Sequence, residues 1–265
     1  MKRYLPFVKK EPLVAVIRLQ GVIASGARGT ALNDTGLAPL IERAFRKGKP
    51  AAVALVINSP GGSPAQSSLI AARVRRLAEE HKIPVYAFVE DVAASGGYWL
   101  ATAADEIWVD ENSIVGSIGV ISAGFGFDEF ISRYGIQRRV YTAGKSKSLA
   151  DPFRPENPDD VARIKDLQEQ IHESFINQVK RRRGDKLAEG DLYTGEIWVG
   201  DKAREVGLVE GVGHIVPKMK EIFGEKVLLV PYQLRRPFAS RFGLSLIDAG
   251  VAALEERAVF ARYGL

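Results

Sequence analysis

The sequence predicts an α/β fold, a mostly parallel sheet with helices on its faces, and three observations carry that prediction. Short runs rich in β-branched residues alternate with segments of helical apolar spacing, the rhythm of parallel strands joined by crossover helices. Three Gly-rich segments each interrupt an apolar run at its exit, where open α/β sheets bind ligands. The 265 residues are 46% hydrophobic and 26% charged, the balance of a chain that can bury a sizeable core.

Strands are expected at Leu13–Leu19, Ala52–Ile57, Val85–Val89, Glu106–Val109, Ser117–Ile121, Gln137–Tyr141 and Val227–Val230, each a run of β-branched or aromatic residues bounded by turn formers. Helical spacing marks Gly36–Lys47, Ala65–His81, Ser95–Ala104 and Asp128–Tyr134, and Pro39 and Pro64 suit first-turn positions. A long charged helix follows over Pro158–Arg183, stopped by Gly184, with shorter ones near Asp201–Val206 and His214–Phe223. Residues 1–232 read as one domain and 233–265 as an extension. Within the extension, Leu244, Ile247, Val251, Leu254, Ala258 and Phe260 space an amphipathic helix for its own domain, another subunit or a membrane. No internal repeat is present.

The absence of cysteine excludes disulfides, thiolate catalysis and Cys-ligated zinc. The net charge of +5 is interspersed along the helices, which argues against a nucleic-acid reader. Leu13–Leu19 is too short for a signal-peptide core and contains Arg18, and no stretch reaches the ~18 apolar residues of a spanning helix. The expected location is the cytoplasm, at most peripheral to the inner membrane. No metal or cofactor is expected.

The Gly-rich segments are Asn58-Ser59-Pro60-Gly61-Gly62-Ser63, Ala93-Ala94-Ser95-Gly96-Gly97-Tyr98 and Gly116-Ser117-Ile118-Gly119-Val120. Ser95 sits among small residues where a strand becomes a helix, the setting of a nucleophile elbow and equally of a plain N-cap serine. Backbone N–H groups of Gly62, with Gly61 beside it and Gly96 as a second position, suit an oxyanion hole. Gly116, Ser117, Ile118, Gly119 and Val120 form an edge on which an extended peptide could pair by β-augmentation. His81, His172 and His214 lie in charged or helical contexts and read as surface residues, so a Ser-His-Asp triad is not expected. A lysine can act as the base where burial lowers its pKa. Thr142-Ala143-Gly144-Lys145-Ser146-Lys147 offers two, and spacing does not separate Lys145 from Lys147.

With I-N-S-P-G-G at Ile57–Gly62, A-A-S-G-G-Y at Ala93–Tyr98, G-S-I-G-V at Gly116–Val120, T-A-G-K-S-K at Thr142–Lys147 and I-W-V-G-D-K-A-R-E-V-G-L-V-E at Ile197–Glu210, the chain resembles the signal peptide peptidase A family of Ser-Lys proteases, including its SohB-like members. The resemblance implies Ser95 as nucleophile, Lys147 as general base and Gly62 as an oxyanion donor. It also implies a Clp protease/crotonase-like fold of stacked ββα units and a closed homo-oligomer, a ring of eight being its first expectation. The substrates implied are unfolded, signal-peptide-like or membrane-derived peptides, with small side chains preferred. Two features depart from the family: the transmembrane helix of its membrane-bound members is absent, and the extension after Val230 lies outside the family's motifs. Double-length members take serine and lysine from different halves, whereas here both fall in one domain. The rival readings are an acyl-CoA hydratase or isomerase of the same fold and a non-catalytic scaffold for a membrane-organising protein.

Overall fold

The computed structural model describes residues 11–26, 31–144, 147–232, 257 and 260–265. Its centre is a parallel sheet of β1 (Leu13–Gln20), β2 (Ala52–Ser59), β3 (Val85–Ala94) and β8 (Leu228–Tyr232), in the order β3-β2-β1-β8. Every residue of β2 is buried, as expected of a strand with helices on both faces. Strand β3 is shared: Tyr86–Val89 pairs with β4 (Glu106–Val109), while Val92–Ala94 pairs with β5 (Ile114–Gly116). Strand β6 (Ile197–Val199) closes that side antiparallel to β5, and β7 (Gly211–Val212) runs parallel to β4.

One face of the sheet carries Val53, Leu55 and Ile57 against α1 (Asp34–Arg46), α2 (Pro64–His81) and α3 (Gly96–Ala101). The other carries Ala52, Ala54 and Phe88 against Met219 of α7 (Ile215–Phe223). The helix ends follow local chemistry. Asn33 accepts from the Gly36 N–H at 2.8 Å to start α1, and Ser63 caps α2, whose first residue is Pro64. In α5 (Pro158–Arg183), Asp159 and Asp160 fill the first turn and Lys180 to Arg183 the last, complementing the helix dipole, and Gly184 ends it at φ 48°. Two short helices, α4 (Asp128–Arg133) and α6 (Gly200–Glu205), and a 3-10 turn at Gly184–Lys186 complete the described elements.

Several expectations need correction. Pro39 is the sixth residue of α1 and not in its first turn. The lost N–H leaves the Thr35 carbonyl without its helical partner, and the exposure of both residues lets water serve instead. The strand expected at Ser117–Ile121 ends at Gly116, because Ser117 takes a left-handed φ of 52° and turns the chain away. Gln137–Tyr141 is not a strand, since no neighbouring strand lies beside this mostly exposed segment among the described residues. Strands β6 and β7, of three and two residues, are too short to leave a periodic signature. The Leu244–Tyr263 segment falls largely outside the described residues.

A polar network ties these layers together. Arg183, its side chain 3% exposed, donates to the Gly207 carbonyl and pairs with Glu210 at 2.9 Å. Glu210 also accepts from Lys186 and from the Ile107 N–H in β4. The hydroxyl of buried Tyr98 in α3 donates to the Leu208 carbonyl at 2.7 Å, and desolvation raises its pKa. Burial alone would raise the Glu210 carboxyl, but Lys186, the Ile107 N–H and Arg183 outweigh it and hold it below the ordinary carboxylate range. A carboxyl depressed by folding contributes stability that is present above its unfolded pKa of about 4.3 and is lost as pH falls through the folded value. Glu210→Gln should therefore cost about 3 kcal/mol at neutral pH, the scale of a broken buried pair. In denaturant titrations its deficit should narrow as the pH drops from about 6 to 3; a deficit that does not change with pH would contradict the role given to Glu210.

Candidate active site

Ser95 lies between the end of β3 and the start of α3, half-buried, with φ 51° and ψ −121°. Serine rarely adopts this conformation, which costs of order 1–3 kcal/mol and marks a sharp strand-to-helix elbow. Two main-chain bonds hold it: its N–H donates to the Gly116 carbonyl at 2.8 Å, and its carbonyl accepts from the Trp99 N–H at 3.0 Å. Its side chain makes no N-cap bond to the helix, so the plain capping role does not apply.

The 58–63 loop is pressed against this elbow. A Cβ on Gly62 would stand 2.0 Å from the Ile23 carbonyl oxygen, and one on Gly61 2.7 Å from the Gly96 nitrogen. The loop is pinned from outside by Ile23, which donates to the Gly61 carbonyl at 2.8 Å and accepts from the Ser63 N–H at 2.7 Å. Gly61 already directs its own N–H to Ser59 Oγ at 3.3 Å. A narrow cleft opens beside Ser95, lined by Gly62, Pro64, Gly96, Trp99, Gly119, Val120, Ile171 and Phe175. The Trp99 and Phe175 rings stack in its wall with centroids 4.9 Å apart.

Thus the first two Gly-rich segments and the Gly119–Val120 end of the third converge on Ser95, as expected. Gly116 accepts from Ser95 N–H, Ser117 donates to the Glu196 carbonyl at 2.6 Å, and the Ile118 side chain is buried. Lys147 is not brought to this cleft within the single chain. It is exposed on a turn at 147–150, its N–H directed to the Gly144 carbonyl at 3.3 Å. Lys145 lies outside the described residues. His81 and His214 are exposed, as expected, and His214 pairs with Asp110. His172 is half-buried, and its Nε2 lies 3.0 Å from the Ile118 carbonyl, so its reading as a surface residue is corrected. The contributions of α5 were not visible in the sequence, because nothing in a charged helical repeat says which turn meets a cleft. A larger cavity of about 730 Å³ lies on the α7 side of the sheet, and none of the predicted site residues lines it.

A family model described as Peptidase family S49 matches residues 78–222, more than half of the chain. The chain belongs to peptidase family S49. The S49 match covers the elbow, the third Gly-rich segment and α5. A protein of Brucella melitensis biotype 1 named Na(+)/H(+) antiporter NhaA is 44% identical over 288 residues, covering 100% of this chain and 39% of that protein. The chloroplastic serine protease SPPA of Arabidopsis thaliana is 31% identical over 86% of this chain and 35% of its own length. Protease 4 of Haemophilus influenzae is 31% identical over 76% of this chain and 32% of its own length. The chain thus spans less than half the length of these relatives. The 1510-N membrane-bound stomatin-specific protease, solved in complex with a substrate peptide, superposes with a TM-score of 0.55 at 15% identity, covering 92% of this chain and 99% of that one. The fold is accordingly the Clp protease/crotonase-like fold of S49 proteases.

The strained elbow makes a prediction that does not depend on activity. Glycine tolerates φ 51° and alanine does not, so Ser95→Gly should be more stable than Ser95→Ala by about 1 kcal/mol. Equal midpoints and slopes in urea unfolding would show that Ser95 carries no backbone strain.

Proposed function

We propose that this chain is a serine peptidase of the S49 type that cleaves extended peptides through an acyl-enzyme, with Ser95 as nucleophile and Lys147 as general base. The observation that carries the proposal is the strained Ser95 elbow facing a glycine loop held too close for any side chain. Ser95 Oγ attacks the peptide carbonyl carbon as its proton passes to the neutral lysine amine. The tetrahedral oxyanion is met by the N–H groups of Gly62 and Gly96, Gly61 being engaged with Ser59. Collapse breaks the C–N bond, and the leaving amine takes the proton from the lysine. Water then attacks the Ser95 ester by the same route and releases the acid. Membership of a peptidase family leaves the hydratase and scaffold readings without support.

The substrate lies along the Gly119–Val120 end of the third Gly-rich segment, Gly116 being already paired on both sides, and unfolded or membrane-derived peptides with small residues at the cut suit the narrow cleft beside Trp99 and Phe175. Among the described residues no helix is long and apolar enough to cross a membrane.

We further propose that the active form is a closed homo-oligomer, a ring of eight being the first size to test. A lysine accepts a proton only where packing strips water from its amine. Lys147 sits on an uncovered arm, residues 121–144 and 147–157, which also exposes Phe125 by 81%, Tyr141 by 91%, and Phe130, Tyr134 and Ile136 by more than half. Apolar surface on that scale calls for a partner, and a neighbouring copy would cover it and dry the amine together.

Ser95→Ala should reduce peptide hydrolysis about 10⁴-fold or more with folding intact, Lys147→Ala should match it, and the double variant should be no worse. Lys147→Arg should fail too, since guanidinium stays charged, whereas Lys145→Ala should keep most activity. Retention of a tenth of wild-type activity by Ser95→Ala sinks the assignment, and a dead Lys145→Ala beside an active Lys147→Ala moves the base by two residues. For the oligomer, Phe125→Asp combined with Tyr141→Asp should give a smaller mass by light scattering and lose activity with it. A wild-type monomer at micromolar concentration refutes the assembly.

A further inference from the structure

We propose that His172 is a positioning residue that fixes the main chain on which the substrate is read; this deepens the peptidase reading and rests on it. His172 stands on α5 between Ile171 and Phe175, both of which line the cleft at Ser95. Its Nε2 lies 3.0 Å from the carbonyl oxygen of Ile118, the residue before Gly119 of the cleft. A carbonyl only accepts, so Nε2 carries the proton and donates.

The position of this bond gives it a function. At one end of the third Gly-rich segment, the Gly116 carbonyl is tied to the Ser95 N–H and the Ser117 N–H to the Glu196 carbonyl. At the other end, Gly119 and Val120 open into the cleft. Ile118 stands between them with a fully buried side chain, and His172 holds its backbone to α5. A peptide that pairs with this segment meets Ser95 in register only if Gly119 and Val120 keep a fixed distance from the elbow. Displacements on the order of 1 Å are costly in such sites. His172 acts on the alignment of a long substrate, through Ile118, and not on the proton of Ser95.

The inference separates two kinds of reagent. A ten-residue quenched peptide of small apolar residues uses the segment, whereas a small fluorophosphonate needs only Ser95, its base and the oxyanion donors. His172→Ala should lower kcat/KM for the peptide about five- to tenfold, the scale of one lost hydrogen bond, with part of the loss in kcat because alignment is what is lost. Fluorophosphonate labelling should stay within about twofold of wild type on the same ground. His172→Gln, which keeps a donor, should recover most of the loss, and hydrogen exchange across 116–121 should quicken in the alanine variant but not in the glutamine one. Unchanged kcat/KM, or labelling that falls in step with hydrolysis, overturns the inference. If the wild-type protein neither cleaves nor is labelled, it is the peptidase reading that has failed, and exchange across 116–121 still decides whether His172 pins the segment. Should alanine unfold the protein, His172→Leu against His172→Gln gives the same contrast at nearly constant size.

Discussion

The constraint on which the rest of the site depends is the contact of two main chains, the 59–62 loop against the 95–97 turn. A Cβ on Gly97 would stand 2.3 Å from the Ser59 carbonyl oxygen, so α3 sits directly on the exit of β2. This contact leaves no slack for Ser95 to relax toward an ordinary backbone conformation. It also directs the start of α3 and the Gly62 turn toward the same point. The parallel sheet beneath makes the contact possible, because β2 and β3 are neighbours and their exits lie side by side.

The surrounding layers keep that point rigid. Tyr98 ties α3 to the Leu208 carbonyl, and Arg183 ties the end of α5 to Gly207 and Glu210, so the elbow helix and the helix that walls the cleft share one anchor. From that anchor α5 runs back past Phe175, His172 and Ile171 along the cleft. Residues 121–144 and 147–157 are mostly exposed, Lys147 among them. The framework is packed by its own chain, whereas this arm is largely open to solvent.

This division explains what the sequence made legible. The strands of the central sheet, helices α2 and α5 and the three Gly-rich segments were readable because each is set by local spacing or by backbone chemistry that only glycine supplies. Where Ser117 takes a left-handed conformation, the alternation of Ser117–Ile121 still resembles a strand, yet sheet pairing stops at Gly116. Gln137–Tyr141 holds only Val140 and Tyr141 as strand formers and lies in the exposed arm, with no strand beside it among the described residues. Ile171, His172 and Phe175 could not be assigned from spacing, since a helix of 26 residues offers many equivalent turns and only tertiary packing selects one. The choice between Lys145 and Lys147 came from family resemblance alone.

The exposed arm has a consequence for the life of the molecule. Under the proposed mechanism an unassembled chain holds its nucleophile in place and its base adrift, so it stays inactive until it meets its own copies. Dilution would act as its inhibitor. Turnover would then rise more steeply than enzyme concentration, and a cell could restrain such a peptidase simply by keeping few copies in any one place.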